Sequence, residues 1–222
     1  MDNTNINISS NSFLKEMKRM PLNYDFGFSR GTPIDRYYIE DFLDKNKSYI
    51  KGDVLEIAEN TYTKKFGSPE KIDNSWILHV DAHGKNMIRG DFETGEGIQP
   101  NTMDCIILTQ TLPFMYHLEN AVKNIYGMLK RNGSLLLTVS GICQISRYDM
   151  DRWGDYWRFT DLSLRRLMET VANPEKIDIY TYGNVKSACA FLYGVASEEL
   201  SKEDLEYSDP DYQLSICAVV RR

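Results

Sequence analysis

The 222-residue sequence has no long hydrophobic run. Its longest apolar stretches, Cys105–Leu108, Leu135–Leu137 and Ile216–Val220, are far below the roughly 20 residues that a membrane-spanning helix requires. The N-terminal residues Met-Asp-Asn-Thr-Asn-Ile-Asn lack a basic segment followed by an apolar one, so no secretory signal is expected and the reading is of a cytoplasmic protein. Cysteine is scarce. Cys105, Cys143, Cys189 and Cys217 are widely spaced and form no Cys-x-x-Cys pair, which argues against a disulfide framework or a structural zinc site and for reduced structural thiols. An excess of basic residues is also missing. With 26 Lys and Arg against 32 Asp and Glu the formal net charge is −6, and a nucleic-acid partner would want a basic face. Finally, no glycine stands between Gly52 and Gly67, where a phosphate-cradling turn would need one, which weighs against a dinucleotide or a nucleoside triphosphate.

What is present is a hydrophobic fraction of 42%, sufficient for a sizeable core, and an alternation of two patterns. Residues 1–30 are polar, then mixed, and read as an N-terminal arm or lid with one short helix around Phe13–Met20; residues 31–222 read as a single domain. Ile34, Tyr37, Tyr38, Phe42 and Leu43 recur at helical spacing and predict a helix over Pro33–Lys45. Short apolar runs at 54–57, 76–81, 104–109 and 134–139 predict buried strands. Before the last of them lies an amphipathic helix with Leu118, Ala121, Val122, Ile125, Tyr126 and Leu129 on one face, closed by Lys130-Arg131 and stopped by Gly133. Further helices are expected at Leu162–Val171 and Val185–Leu200, with strands at Ile177–Tyr182 and Leu214–Val220. Strands alternating with helices imply βαβ units and a parallel sheet.

In such a sheet ligands bind beyond the carboxyl ends of the strands, so the residues finishing each run are the candidates. They are Glu56 with its loop through Ala58 and Asn60, Asp81-Ala82, Asp91, and Thr109-Gln110. Carboxylates at successive strand ends suit an adenosyl cofactor, where they accept hydrogen bonds from ribose hydroxyls and from an amino group. In folds of this class the helix before the first strand often covers the cofactor, so Arg36 or Tyr37 is expected to meet a cofactor carboxylate or, for the tyrosine, to pack that helix on the sheet.

The same residues carry a resemblance. Val54-Leu55-Glu56-Ile57 resembles the first motif of the class I S-adenosylmethionine-dependent methyltransferases, His79-Val80-Asp81 the second and Asp91 the acid of the third. Asp104–Leu112 resembles the fourth motif, and Leu129–Leu136 the leader into the fifth strand, so the match runs in order over roughly residues 50–140. It implies an α/β, Rossmann-like fold with a mostly parallel seven-stranded sheet, helices on both faces, and S-adenosyl-L-methionine as cofactor. Two departures stand in the first loop, where Ala58 and Asn60 replace the family's glycines. Asparagine tolerates positive φ, whereas the Ala58 methyl group is expected to displace or weaken the cofactor. Asp155–Thr160, together with Gly31–Glu40 and Tyr182–Val185, resembles a methyltransferase subgroup found in bacterial glycan and surface-polysaccharide gene sets.

In the loop after the fourth run, aromatic rings interleave with Arg and Asp. Arg147, Tyr148, Asp149, Arg152, Trp153 and Tyr156 are the candidate acceptor-binding residues, while Trp157 and Phe159 read as core and Thr160 as a helix cap. His117 is the candidate general base, with a helix-start residue on the rim as its plainer reading; His79 reads as structural. The function expected is methyl transfer to a small polar acceptor, first a sugar or glycan-linked group, with oxygen slightly favoured over nitrogen. The alternatives are an acceptor bearing a carboxylate or phosphate, an inactive scaffold domain working with glycan-assembly enzymes, and, more weakly, a nicotinamide-dependent oxidoreductase.

Overall fold

A computed structural model of the chain describes residues 15–222; the first residues of the helix expected around Phe13–Met20 lie outside them, and Lys15 and Glu16 are helical. In chain order the elements are α1 (Ile34–Lys45), β1 (Gly52–Ile57), α2 (Thr61–Phe66), β2 (Ile72–His79), β3 (Met87–Arg89), β4 (Met103–Thr109) and α3 (Leu118–Met128). They continue with β5 (Leu129–Ser140), α4 (Arg147–Met150), α5 (Asp161–Glu169), β6 (Ile177–Tyr182), α6 (Val185–Leu192), α7 (Lys202–Glu206) and β7 (Ser215–Arg221). The strands form one sheet in the order β3-β2-β1-β4-β5-β7-β6. β3, β2, β1, β4 and β5 run parallel, and β7 lies antiparallel between β5 and β6, which makes this the mostly parallel, Rossmann-like sheet that was expected.

The apolar runs are continuous because the central strands are covered on both faces. In β4, Ile106 and Leu108 pack with Val122 and Ile125 of α3 and with Leu164 and Met168 of α5. Cys105 and Ile107 point the other way, into a cluster with Ile39, Phe42 and Leu43 of α1. Each such fully buried side chain contributes about 1.5–3 kcal/mol relative to its exposed state. A third cluster joins Ile34 and Tyr38 of α1 to Phe191 of α6, Leu205 of α7 and Leu214. Among the described residues, no helix is long and apolar enough to cross a membrane.

Two expected helix ends move, and one strand was not expected. The helix before β5 stops at Met128, and Lys130-Arg131 belong to a bulge in which Leu129 pairs with Met103 and Ser134 resumes opposite Cys105. Lys130 is drawn into that bulge by Asp53 and Asp104, each 2.7 Å from its ammonium, at the end of the sheet opposite the loops described below. The helix from Val185 ends at Leu192 instead of Leu200, because Gly194 takes φ +69° and its Cα faces the carbonyl of Asn23, leaving no room for a side chain. β3 escaped sequence reading because it is a three-residue edge strand ending in Arg89.

The connection out of β1 shapes everything at the carboxyl edge. Glu56, only 3% exposed, accepts the backbone N–H groups of Tyr62 (3.1 Å) and Thr63 (2.6 Å) in the first turn of α2. Burial pushes its carboxyl group above the ordinary range against those hydrogen bonds. Between them the chain turns at Ala58, φ +65°, whose N–H donates to the Leu78 carbonyl at 3.1 Å. Asn60, at φ −118°, does not use the left-handed region, contrary to the role expected of it. Only one of the two glycine positions therefore demands unusual backbone, and alanine fills it at a cost of about 1–2 kcal/mol.

Glu56→Ala is expected to lower the unfolding free energy by about 1–3 kcal/mol in urea titration, since two buried N–H groups lose their acceptor. At position 58 the same measurement should find Ala58→Gly within about 1 kcal/mol of the parent, relief of strain offsetting the looser unfolded chain, and Ala58→Val clearly destabilised.

Candidate active site

The chain proceeds from β1 outward to β2 and β3, then returns to place β4 on the other side of β1, so the connections diverge above the carboxyl ends of β1 and β4. Two adjoining cavities of about 330 and 350 Å³ open there, and they share Ile57, Thr109, Gln110, Phe114 and Asp149 in their walls. Volumes of this order suit a small-molecule ligand.

The first lobe is walled by the ends of β1, β2 and β4 and by the loop after β3. Ala58, Leu78, His79, Val80, Asp91 and Phe92 line it, and Trp153 closes it, set edge-on to the His79 ring at a centroid distance of 6.0 Å. Asp91 is fixed by an Asx turn, its Oδ1 accepting the Glu93 N–H at 2.7 Å. Asp81 follows directly after Val80 but is itself exposed and not in the wall; its N–H donates to His79 Nδ1 at 3.1 Å. Ala82 is buried with its N–H on the His79 carbonyl, and Asn60 turns its amide to Ser75 Oγ at 3.0 Å, so neither reaches the lobe. His79, read from sequence as structural, does reach it.

The second lobe lies toward α1 and the N-terminal arm. Asp35 and Arg36 face it, together with Glu56, Glu59, Ser140 and Cys143, and Phe26 and Phe28 of the arm cover it. Tyr37, the neighbour of Arg36, points instead to Tyr38 at a ring distance of 5.6 Å and stays outside. The Arg36 guanidinium lies over the Phe28 ring at 4.9 Å. Asp35 is only partly exposed, and burial raises its carboxyl pKa to about 6. Burial likewise pushes the Cys143 thiol up to about 12, which keeps it neutral at physiological pH.

Gln110 sits where the two lobes meet. Its backbone adopts φ +48°, its N–H donates to the Thr138 carbonyl at 2.9 Å, and its side-chain Nε2 is buried without a hydrogen-bond partner. A buried amide left unpaired costs about 1–3 kcal/mol, and a polar ligand would recover it.

The aromatic loop divides. Asp149 belongs to both lobes, held by the Ser146 hydroxyl at 2.5 Å, and Trp153 to one. Arg147 turns to Met150 Sδ, and Arg152 stacks on Tyr148 at 3.6 Å with both residues outside the cleft. Tyr156 packs on Tyr116, 5.3 Å between rings. Arg158, one of the arginines around 147–158 expected to meet an acceptor's carboxylate or phosphate, lines the second lobe and spends all five of its donors. Asp155 takes two at 2.5 and 2.9 Å, and the carbonyls of Cys143, Gln144 and Trp157 take the rest. Trp157, expected in the core, is 37% exposed, its indole N–H donating to the Met115 carbonyl; Phe159 is buried and Thr160 caps α5, as expected.

His117 precedes α3, its N–H on Glu93 Oε1 at 2.7 Å and its ring edge-on to Tyr116. It lines a separate surface groove with Trp157 and Arg166, so the structure does not bring it to the cleft. Arg36 was expected near a ligand, and the residue missed in the sequence was its neighbour Asp35. Both lie in the stretch after Gly31, where Thr32 docks on Glu198 through its N–H and hydroxyl and so points the start of α1 at the strand ends.

No family model matches the chain, and no curated protein sequence does. Among solved structures, the N-methyltransferase NodS of Bradyrhizobium japonicum in complex with S-adenosyl-L-homocysteine superposes with a TM-score of 0.53 at 14% identity, over 90% of this chain and 93% of that one. A SAM-dependent methyltransferase of Archaeoglobus fulgidus gives a TM-score of 0.53 at 12% identity, over 90% of this chain and all of the other. One from Mesorhizobium loti gives 0.52 at 10%, over 85% and 98%. At such identities the likeness is one of fold, and the fold is that of the S-adenosylmethionine-dependent methyltransferases.

Proposed function

We propose that the protein is a methyltransferase that binds S-adenosyl-L-methionine across the two lobes and methylates a small polar acceptor, a sugar or glycan-linked group before others. The observation that carries this reading is the two-lobed cleft at the divergence of β1 and β4, with the unpartnered Gln110 amide at its waist. The residues present fit the cofactor. Leu78, Phe92 and Trp153 offer apolar and aromatic walls to a base, and Asp91, joined by Asp81 from the turn after Val80, supplies carboxylates for ribose hydroxyls. Arg36 is the cation for the cofactor's carboxylate, and Glu59 an acid for its amino group. The left-handed turn kept at Ala58 supports cofactor binding over the inactive-scaffold reading, because the loop path survives the loss of glycine.

When bound, the cofactor supplies an electrophilic methyl group on a positively charged sulfur. The chain's own task is to hold an acceptor atom in line, and positioning of that kind supplies much of the rate without an acid–base dyad. Acids outnumber bases along the second lobe, which favours a positive sulfur beside it. With Arg158 saturated and Arg147 and Arg152 turned away, no donor set remains there for an acceptor's carboxylate or phosphate beyond Arg36, so a neutral hydroxylated acceptor is the better fit. The described part of the arm, residues 15–30, serves as a lid through Phe26 and Phe28.

Calorimetric titration with S-adenosylhomocysteine is expected to show binding, weakened at least about tenfold in Asp81→Ala, the loss of a charge-assisted hydrogen bond. Absence of binding to the parent protein would sink the cofactor reading, and an unaffected Asp81→Ala would transfer the ribose to His79 and Asp91. Trp153→Ala should cost about tenfold in the same titration while leaving the melting temperature within about 2 °C, because the ring packs on the ligand side and not in the core.

A further inference from the structure

Resting on the methyltransferase reading, we propose that Asp35 takes the proton of the acceptor in the second lobe and is thereby a catalytic residue of this enzyme. The other carboxylates of that lobe are already engaged. Glu56 caps α2 through two N–H groups, Asp155 is clamped by Arg158, and Asp149 accepts the Ser146 hydroxyl. Glu59 stands exposed to solvent, where a charge is screened. Asp35 alone among them lines the lobe, is withdrawn from solvent, and receives hydrogen bonds only from backbone N–H groups of its own helical turn. Gln110 brings independent support, since it lines the same lobe and its buried Nε2 lacks an acceptor of its own. An unpartnered donor and a carboxylate bonded only within its own helical turn, on two residues lining one cavity, suit a ligand hydroxyl or amine, which carries both a lone pair and a proton.

The balance of the step is simple. The acceptor oxygen or nitrogen bonds the methyl carbon, the carbon–sulfur bond breaks with its electron pair left on sulfur, and the acceptor's proton passes to the Asp35 carboxylate and then to water. A base with a pKa just below the working pH is ionised yet still able to accept a proton. The charged and titratable groups around Asp35 are Arg36 on its own helix, Tyr62 on α2, Glu56 in β1, Glu59 after it, and Cys143, Asp149, Asp155 and Arg158 from the segment after β5. Of these, Tyr62 and Cys143 are both pushed up to about 12 by burial and stay neutral throughout the pH range tested below.

A base beside the transferred methyl group also stands beside the positive sulfur, so the proposal can be tested before any acceptor is known. S-Adenosylmethionine carries that charge and S-adenosylhomocysteine does not. By calorimetry at pH 8, Asp35→Asn should weaken S-adenosylmethionine binding about tenfold and leave S-adenosylhomocysteine within about twofold. In the parent protein the preference for the charged ligand should fall as pH drops from 8 to 5, with a midpoint near 6 where Asp35 protonates, and the variant should show no such midpoint. The same preference in both proteins, or a flat profile in the parent, overturns the assignment of Asp35 while the cofactor reading stands. If the parent binds neither ligand, the methyltransferase reading falls and this one with it. Should Asp35→Asn fail to fold, as judged by circular dichroism, the parent's pH profile decides alone.

Discussion

The Glu56 carboxylate, buried under the end of β1, accepts two free N–H groups in the first turn of α2, those of Tyr62 and Thr63, and the path of the chain at the edge of the cleft follows from satisfying it. A buried carboxylate must be hydrogen-bonded or neutralised. Here α2 has to start within reach of it, so only a few residues are left to leave the strand and reverse direction. That constraint forces the left-handed turn at Ala58, pins the turn to β2 through the Leu78 carbonyl, and opens space above the strand ends. A residue read as a cofactor ligand is in this way first a structural capping group, and the cleft exists because it caps.

The rest of the cleft is built from chain segments distant in sequence. Arg30 pairs with Glu199, Thr32 hydrogen-bonds Glu198, and the Leu22 N–H donates to the Tyr193 carbonyl, so the arm is clipped to the region after α6. On the same side Asn184, 4% exposed, caps α6 through the Ser187 N–H and donates its amide to the Asp204 and Tyr207 carbonyls. The two short stretches that resembled a glycan-associated subgroup, near residues 31 and 183, therefore share one physical task. They hold the arm and the start of α1 over the strand ends, and with them Phe26, Phe28, Asp35 and Arg36.

Charge completes the arrangement. Arginines that looked available for an anionic ligand are consumed at home, Arg158 by Asp155 and three carbonyls and Arg152 by the Tyr148 ring. Bidentate pairing of this kind sets the geometry of a loop and leaves no donor free. The acids of the second lobe are consequently under-compensated, an environment that suits a cationic or neutral ligand, while burial lifts the pKa of Asp35 within it.

Sequence alone determined the layered α/β architecture, since strands buried on both faces must read as unbroken apolar runs and covering helices must show a 3.6-residue period. It also determined which strand ends carry acids, and it pointed to Glu56, Asp91, Thr109, Gln110, Asp149 and Trp153, which line the cleft above the strand ends. It could not determine the short edge strand β3, the early end of α6 or the bulge at Lys130, because each depends on a partner far along the chain: an edge, a docked arm, or a pair of aspartates. Tertiary structure alone decided that His117 faces a different groove, that Arg158 is saturated and that Asp35 is not. Whether a polar side chain is free to act depends on which groups the fold brings within 3 Å of it, and local spacing carries no record of that.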